Sequence, residues 1–268
     1  MKFIYILLSC CAFSLNKGLI TSKKTEMNWY EAQENCRQKG GILPDSDDIT
    51  NSLRWAGKYR RISLLIKILG CYNDSFVQST IPTNAYKMKT PSAGYCQEIC
   101  LSFDSFVFAI KDNECRCLEE IPQKGNASTS LCNDTSCERD EEPYFDDCGG
   151  KETYSVFQSD PKNEKATDVN TSGCLAVQCS VPPNFTFYYE EDCSLLYKPF
   201  CDMTVSNTSA TWMESMRICR STLSLPVLTE EIFLHDINKT CKAIGENRTE
   251  RYWLGVAKEK YIGFDKGK

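Results

Sequence analysis

Eight cysteines between Gly70 and Gln158 constrain this chain more than any other feature: Cys71, Cys96, Cys100, Cys115, Cys117, Cys132, Cys137 and Cys148. A unit of that size buries too little apolar surface to hold together on its core alone. Four bridges, each contributing roughly 2–5 kcal/mol, supply the difference. Within it, Thr90-Pro91 reads as an N-cap followed by proline at the first helical position. A helix from there sets Cys96 and Cys100 four apart on one face. Phe106-Val107-Phe108-Ala109-Ile110-Lys111 reads as a strand ending at an Asp112-Asn113 turn. Beyond the turn, Cys115 and Cys117 lie two apart on an extended segment and point to the same side. That geometry is awkward for bridging each other, so each is expected to take a partner elsewhere. Spacing alone leaves the connectivity open.

The pattern resembles the WSC domain, a small carbohydrate-binding module. Cys71-Tyr72-Asn73-Asp74 is similar to its opening Cys-Tyr-x-Asp, and Thr90-Pro91 with Cys96-x-x-x-Cys100 to its helix. Phe106 to Ile110 with Cys115-x-Cys117 follows its strand and turn, and Cys148-Gly149-Gly150 with Ser155-Val156-Phe157 its end. The chain departs from the family at Leu118, where glycine is usual, and in the acidic run from Glu138 that replaces a short glycine-containing link. The resemblance implies binding of polysaccharides, notably cell-wall glucans, and occurrence in cell-surface receptors and sensors. Sugar binding by such a module needs an exposed aromatic ring that stacks on a pyranose face, flanked by polar groups that fix the hydroxyls. The candidates are Tyr144, Phe145, Tyr86, Tyr72 and Tyr95, with Tyr144 and Phe145 preferred because they sit in the acidic loop. Tyr72 and Tyr95 neighbour cysteines and also read as core residues, while Phe103, Phe106 and Phe108 read as core.

The N-terminus carries one positive charge, then an apolar run too short to span a bilayer, then Ala12-x-Ser14. It reads as a cleaved secretory signal over residues 1–14. Its removal takes Cys10 and Cys11 and leaves 15 of the 17 cysteines, a content that implies an oxidising compartment. Candidate N-glycosylation sequons agree, at Asn73, Asn126, Asn133, Asn170, Asn184, Asn207, Asn238 and Asn247. No later stretch approaches the roughly 18 apolar residues of a membrane span, and Ile62 to Leu69 reads as a buried strand. The expected location is therefore secreted or extracellular, or the cell surface if the chain belongs to a longer anchored protein. A net charge of −5 without a basic stripe argues against nucleic acid. The acidic run Glu138 to Asp147 lacks the alternating ligands and turn glycine of an EF-hand loop.

The flanks repeat one pattern. Asn28-Trp29-Tyr30-Glu31-Ala32 with Cys36 parallels Thr211-Trp212-Met213-Glu214-Ser215 with Cys219, each opening as a capped helix. Trp29, Ala32 and Cys36 fall on one face, as do Trp212, Ser215, Met216 and Cys219. Both continue into Leu-Pro (Leu43-Pro44, Leu225-Pro226), then an acidic pair with isoleucine, then Trp-x-Gly (Trp55 to Gly57, Trp253 to Gly255). This resembles the first half of a C-type lectin-like domain. The second half, which carries that family's calcium and sugar ligands, has no counterpart here, so the flanks read as scaffolding or protein-contact surfaces without metal. Cys36 lacks its family partner and is the candidate unpaired cysteine, either buried and free or bridging two chains. Cys219 could take Cys241, though that is not the family's usual arrangement, Cys193 and Cys201 could close a hairpin, and Cys174 and Cys179 a small loop; spacing leaves these pairings open.

The organisation expected is a signal peptide at 1–14, a partial C-type lectin-like fragment at 15–69 and a WSC-like domain at 70–158. A linker with extra cysteines follows at 159–192, then a second partial lectin-like fragment at 193–268. The fold class is α+β, built of small disulfide-rich modules. No catalytic motif appears: the single histidine, His235, has no nucleophile elbow, zinc-ligand set or phosphate loop around it. The function expected is non-catalytic, calcium-independent recognition of polysaccharide or glycoprotein glycans, with no cofactor. The alternative is an extracellular interaction or receptor-ectodomain protein whose modules bind other proteins.

Overall fold

The computed structural model describes residues 10–11, 20–21, 28–43, 57–79, 82–122, 148–159, 173–179, 186–201, 204–221 and 250–264. The signal-peptide assignment lies almost wholly outside the described residues, as do His235, the acidic run and the sequons other than Asn73 and Asn207. The architecture is mixed and strand-rich, with a few helices and several disulfides. It divides into two compact units, residues 1–61 with 262–268, and residues 62–261.

In the first unit, strands β1 (Cys10–Cys11) and β2 (Ile20–Thr21) pair antiparallel. Helix α1 (Trp29–Gln38) starts where the sequence places it. The Asn28 side chain accepts from the Glu31 amide at 3.0 Å, and the Glu31 carboxylate accepts from the Asn28 amide at 2.9 Å. The helix buries Ala32 and Cys36 against Leu43, with Trp29 packed alongside. Cys36 is disulfide-bonded, which corrects its expected role as a free thiol for linking chains. Its place at the buried face of the helix suits a structural bridge better than an exposed intermolecular one. Strand β3 (Lys58–Ile62) pairs with the last strand, β14 (Lys260–Phe264).

The second unit is organised by one long sheet. Its elements are β4 (Ile66–Asn73), α2 (Asp74–Ser79), β5 (Pro82–Lys87), α3 (Ala93–Leu101), β6 (Val107–Lys111), β7 (Glu114–Leu118) and β8 (Thr153–Ser159). They are followed by β9 (Gly173–Cys179), β10 (Thr186–Asp192), β11 (Lys198–Cys201), β12 (Thr204–Val205), α4 (Trp212–Ser221) and β13 (Arg251–Ala257). The strand order is β10-β9-β13-β4-β8-β6-β7-β5, with β11 added in parallel to β13 and β12 paired to β11. The expected strand at Ile62–Leu69 starts later, at Ile66, after a bend at Leu64.

The hairpin of the cysteine-rich unit forms as its sequence predicts. Lys111 pairs with Glu114 across Asp112-Asn113, and Asp112 takes a positive φ of 51°. Asp tolerates that backbone better than most side chains. On one sheet face Tyr72, Val77, Val107, Ala109, Leu118, Tyr154 and Val156 form a core that α2 covers through Val77. On the other, helix α3 is stitched to β7 by Cys96–Cys115 and Cys100–Cys117. Two cysteines one helical turn apart thus meet two on one side of a strand.

The later cysteines pair differently from expectation. Cys174 bonds Cys193, not Cys179, and Cys201 bonds Cys219, so neither Cys193–Cys201 nor Cys219–Cys241 forms. The register explains the first: Cys174 lies opposite Glu191 in the β9–β10 hairpin, so Cys193, just past the strand end, reaches it. Cys179 sits at the far end of the same strand, opposite Thr186. That hairpin occupies part of the stretch read as a linker. Its Leu175-Ala176-Val177 segment is buried and pairs with Tyr252 and Trp253 of β13.

Helix α4 is capped as read, Thr211 and Glu214 exchanging hydrogen bonds, and buries Trp212, Ser215, Met216 and Cys219. Trp212 Nε1 donates to the Leu254 carbonyl at 2.7 Å, and Trp253 Nε1 to the Ala210 carbonyl at 3.0 Å. The two tryptophans therefore tie helix to sheet from opposite sides.

Candidate functional site

The unit from β4 to β8 carries the candidate site, and its termini show why its glycines are there. At Cys148-Gly149-Gly150, Gly149 takes a φ of +73°, and a Cβ on it would lie 2.4 Å from the Thr153 carbonyl oxygen. Only glycine fits that turn. It brings Cys148 beside the hairpin, whose Asp112 amide donates to the Cys148 carbonyl at 2.8 Å.

Helix α3 is held at its start from two directions. Ser92, not Thr90, is the N-cap, and its hydroxyl accepts from the Tyr95 amide at 3.1 Å. The next free amide, Gly94, donates at 2.5 Å to Glu259, a fully buried carboxylate from the far end of the chain. A negative charge at a helix N-terminus is favoured by the aligned peptide dipoles. Tyr261 follows on the same segment, stacks on Tyr95 with ring centroids 6.4 Å apart and donates its hydroxyl to Glu98.

The other end of α3 is the exposed one. Asp104 has a φ of 57°, and the Ser105 amide reaches back to the Cys100 carbonyl at 3.0 Å. That left-handed residue with a long backward bond is a Schellman-type helix end, usually built on glycine. Ser105 is buried and its hydroxyl lies within bonding distance of the Val107 and Leu118 carbonyls, which pins the turn to the sheet. The ring of Phe103 is thereby swung outward, 50% exposed, and lies nearly parallel to Tyr86 of β5 at 5.4 Å. Partial burial raises the Tyr86 phenol above its ordinary range. Ser102 and Asp104, the sequence neighbours of Phe103, and Lys87, that of Tyr86, are exposed polar residues.

Of the sequence-predicted contacts among the described residues, Tyr86 lies on this surface. Tyr72 is 2% exposed and Tyr95 is 4% exposed, so neither offers a ring face to a ligand; both belong to the core, as their cysteine neighbours suggest. Tyr144 and Phe145 lie outside the described residues. Phe108 is core and stacks on Phe157, but Phe103 and Phe106 correct the expectation, at 50% and 43% exposed. The missed signal is the Ser102-Phe103-Asp104-Ser105 turn. Its helix-stopping residues interrupt the apolar pattern at the point where the two rings diverge.

A second polar cluster sits on the α2 side of the sheet. Lys111 and Arg116 lie over the Tyr154 ring at 5.6 and 5.4 Å, and Lys111 pairs with Asp74 at 2.5 Å. Tyr154 donates its hydroxyl to Glu114 at 2.7 Å, and Arg116 pairs with the same carboxylate. Burial alone pushes Glu114 up, but the hydrogen bonds from Tyr154 and Arg116, with the charges of Arg116 and Lys111, outweigh it and hold the carboxyl below its usual range. Burial and the Glu114 bond push Tyr154 up. Each cation here already holds a carboxylate, so the cluster braces β6, β7 and β8. The sulfurs of Cys96, Cys100 and Cys115 lie within 4.8 Å of one another, but all three are tied in disulfides and offer no thiolate to a metal.

No curated protein matches the chain. The segment from β4 through α3 to the glycine turn at Gly149-Gly150 matches a known family, the WSC domain, over residues 68–150.

Proposed function

We propose that this chain is a secreted, non-catalytic carbohydrate-recognition protein. Its central unit binds polysaccharide or the glycans of glycoproteins without calcium. A WSC domain suggests carbohydrate binding, and one observation carries the reading to particular residues: the half-exposed Phe103 ring stacked on Tyr86. A flat apolar ring beside exposed hydroxyl, amine and carboxylate groups suits a pyranose, which has an apolar face and a rim of hydroxyls. The oxidised state of the cysteines throughout α3 and β7 supports an extracellular setting. Exposure of Asn207 supports glycosylation there.

Retention of the secreted, oxidised protein on a panel of insoluble polysaccharides, with and without a calcium chelator, tests this. Binding that survives chelation supports the reading, and binding lost on chelation refutes the calcium-independent part. No retention on any polymer favours the second reading, an extracellular protein-interaction or receptor-ectodomain role. The specific feature behind that alternative is the exposed Leu195-Leu196 pair at the turn after β10.

A further inference from the structure

Phe103 and Phe106 are three residues apart, both large and both near half-exposed. Phe103 is engaged face to face with Tyr86. Phe106 lies beyond the buried Ser105, at the start of the extended segment leading into β6. Ser105 holds the backbone between them by contacts to the Val107 and Leu118 carbonyls at 2.9 and 2.7 Å. The Phe106 carbonyl in turn accepts from the Ser159 amide at 2.7 Å. Both side chains therefore spring from pinned backbone, with Cα atoms at most about 11 Å apart. Between them Asp104 presents an exposed carboxylate, an acceptor for hydroxyl donors. Phe103 and Phe106 are two of the few large apolar side chains that stand exposed among the described residues.

We propose that these rings are two successive stacking platforms, and that the ligand is an extended run of sugar residues, not a single terminal sugar. The inference rests on the carbohydrate reading above and deepens it. One sugar stacks on the Phe103–Tyr86 ledge, another further along the chain stacks on Phe106, and Asp104 accepts from hydroxyls between. Tyr86 backs Phe103 and limits its rotation, so the first platform loses little freedom on binding. The surface reads a length of polymer, and affinity accumulates along it.

The test is titration of the full secreted chain with a size series of soluble oligosaccharides, from disaccharide to hexasaccharide. The series is cut from whichever polysaccharide retains the protein. For the unaltered protein affinity is expected to climb with length and then level off. Phe106→Ala should leave disaccharide affinity unchanged and abolish the gain from added sugars, roughly a tenfold loss at the hexamer. Phe103→Ala should weaken every member of the series. Both are surface changes, and an unchanged melting temperature shows that each variant folds. Equal affinity for disaccharide and hexasaccharide overturns the two-platform inference while leaving carbohydrate binding intact. So does a Phe106→Ala protein with an undiminished length dependence. Absence of binding to any polysaccharide overturns the carbohydrate reading itself, and this inference with it.

Discussion

Gly94→Ala probes the joint between the central helix and the end of the chain. Gly94 is the second residue of α3, and a Cβ there would sit 2.5 Å from Cδ1 and 3.0 Å from Cγ of Tyr261. That ring is buried, stacked on Tyr95 and anchored by its hydroxyl to Glu98, so it cannot turn aside freely. In a helix without this neighbour the substitution gains about 0.8–1 kcal/mol. Here overpacking costs about 1–3 kcal/mol, and losing the Tyr261 hydrogen bond adds about 0.5–1.5 kcal/mol. The balance is a net loss of about 0.5–3.5 kcal/mol. With a urea slope near 2 kcal/mol/M, a loss in the middle of that range lowers the midpoint by about 1 M. Adding Tyr261→Ala should remove most of the effect of Gly94→Ala, because the clash has lost its other partner. A Gly94→Ala midpoint equal to or above that of the unaltered protein would refute the claim that Tyr261 is packed immovably on this helix.

Other consequences follow from the same structure. Asp104→Gly should raise stability by up to about 1 kcal/mol in urea unfolding, because glycine carries no Cβ penalty at φ 57°. Cys100→Ser with Cys117→Ser removes the bridge between α3 and β7 and should cost about 2–5 kcal/mol by the same measurement. Glu114 is held below its ordinary value when folded, so it binds its proton more readily in the unfolded chain. Its contribution is present above the unfolded pKa, near 4.3, and is lost as pH falls through the lower folded value. Glu114→Gln should flatten the dependence of the urea midpoint on pH below that point, and an unchanged slope would remove Glu114 from the account.

The parts of this fold legible in the sequence are those decided locally. Asn28 with Glu31, and Thr211 with Glu214, carry their helix starts within four residues, and both helices begin there. The helix spacing of Cys96 and Cys100 and the strand spacing of Cys115 and Cys117 predict shared sides, and the bridges use them. What the sequence hides is decided at long range. The α3 start moves from Thr90-Pro91 to Ser92-Ala93, next to an amide taken by Glu259, 165 residues away. Cys174 finds Cys193 only because the β9–β10 register brings strand start and strand end together. Phe103 reads as core until Asp104 adopts a left-handed backbone without being glycine, and that turn moves the ring from the interior to the candidate site.

The most direct test of the central claim compares the unaltered protein with Tyr86→Ala/Phe103→Ala on the insoluble polysaccharide that retains it best, in the presence of chelator. The account predicts retention by the unaltered chain and its loss in the double variant, with both proteins still unfolding cooperatively in urea. Retention undiminished in a folded double variant would contradict it and move the sugar site away from this ledge.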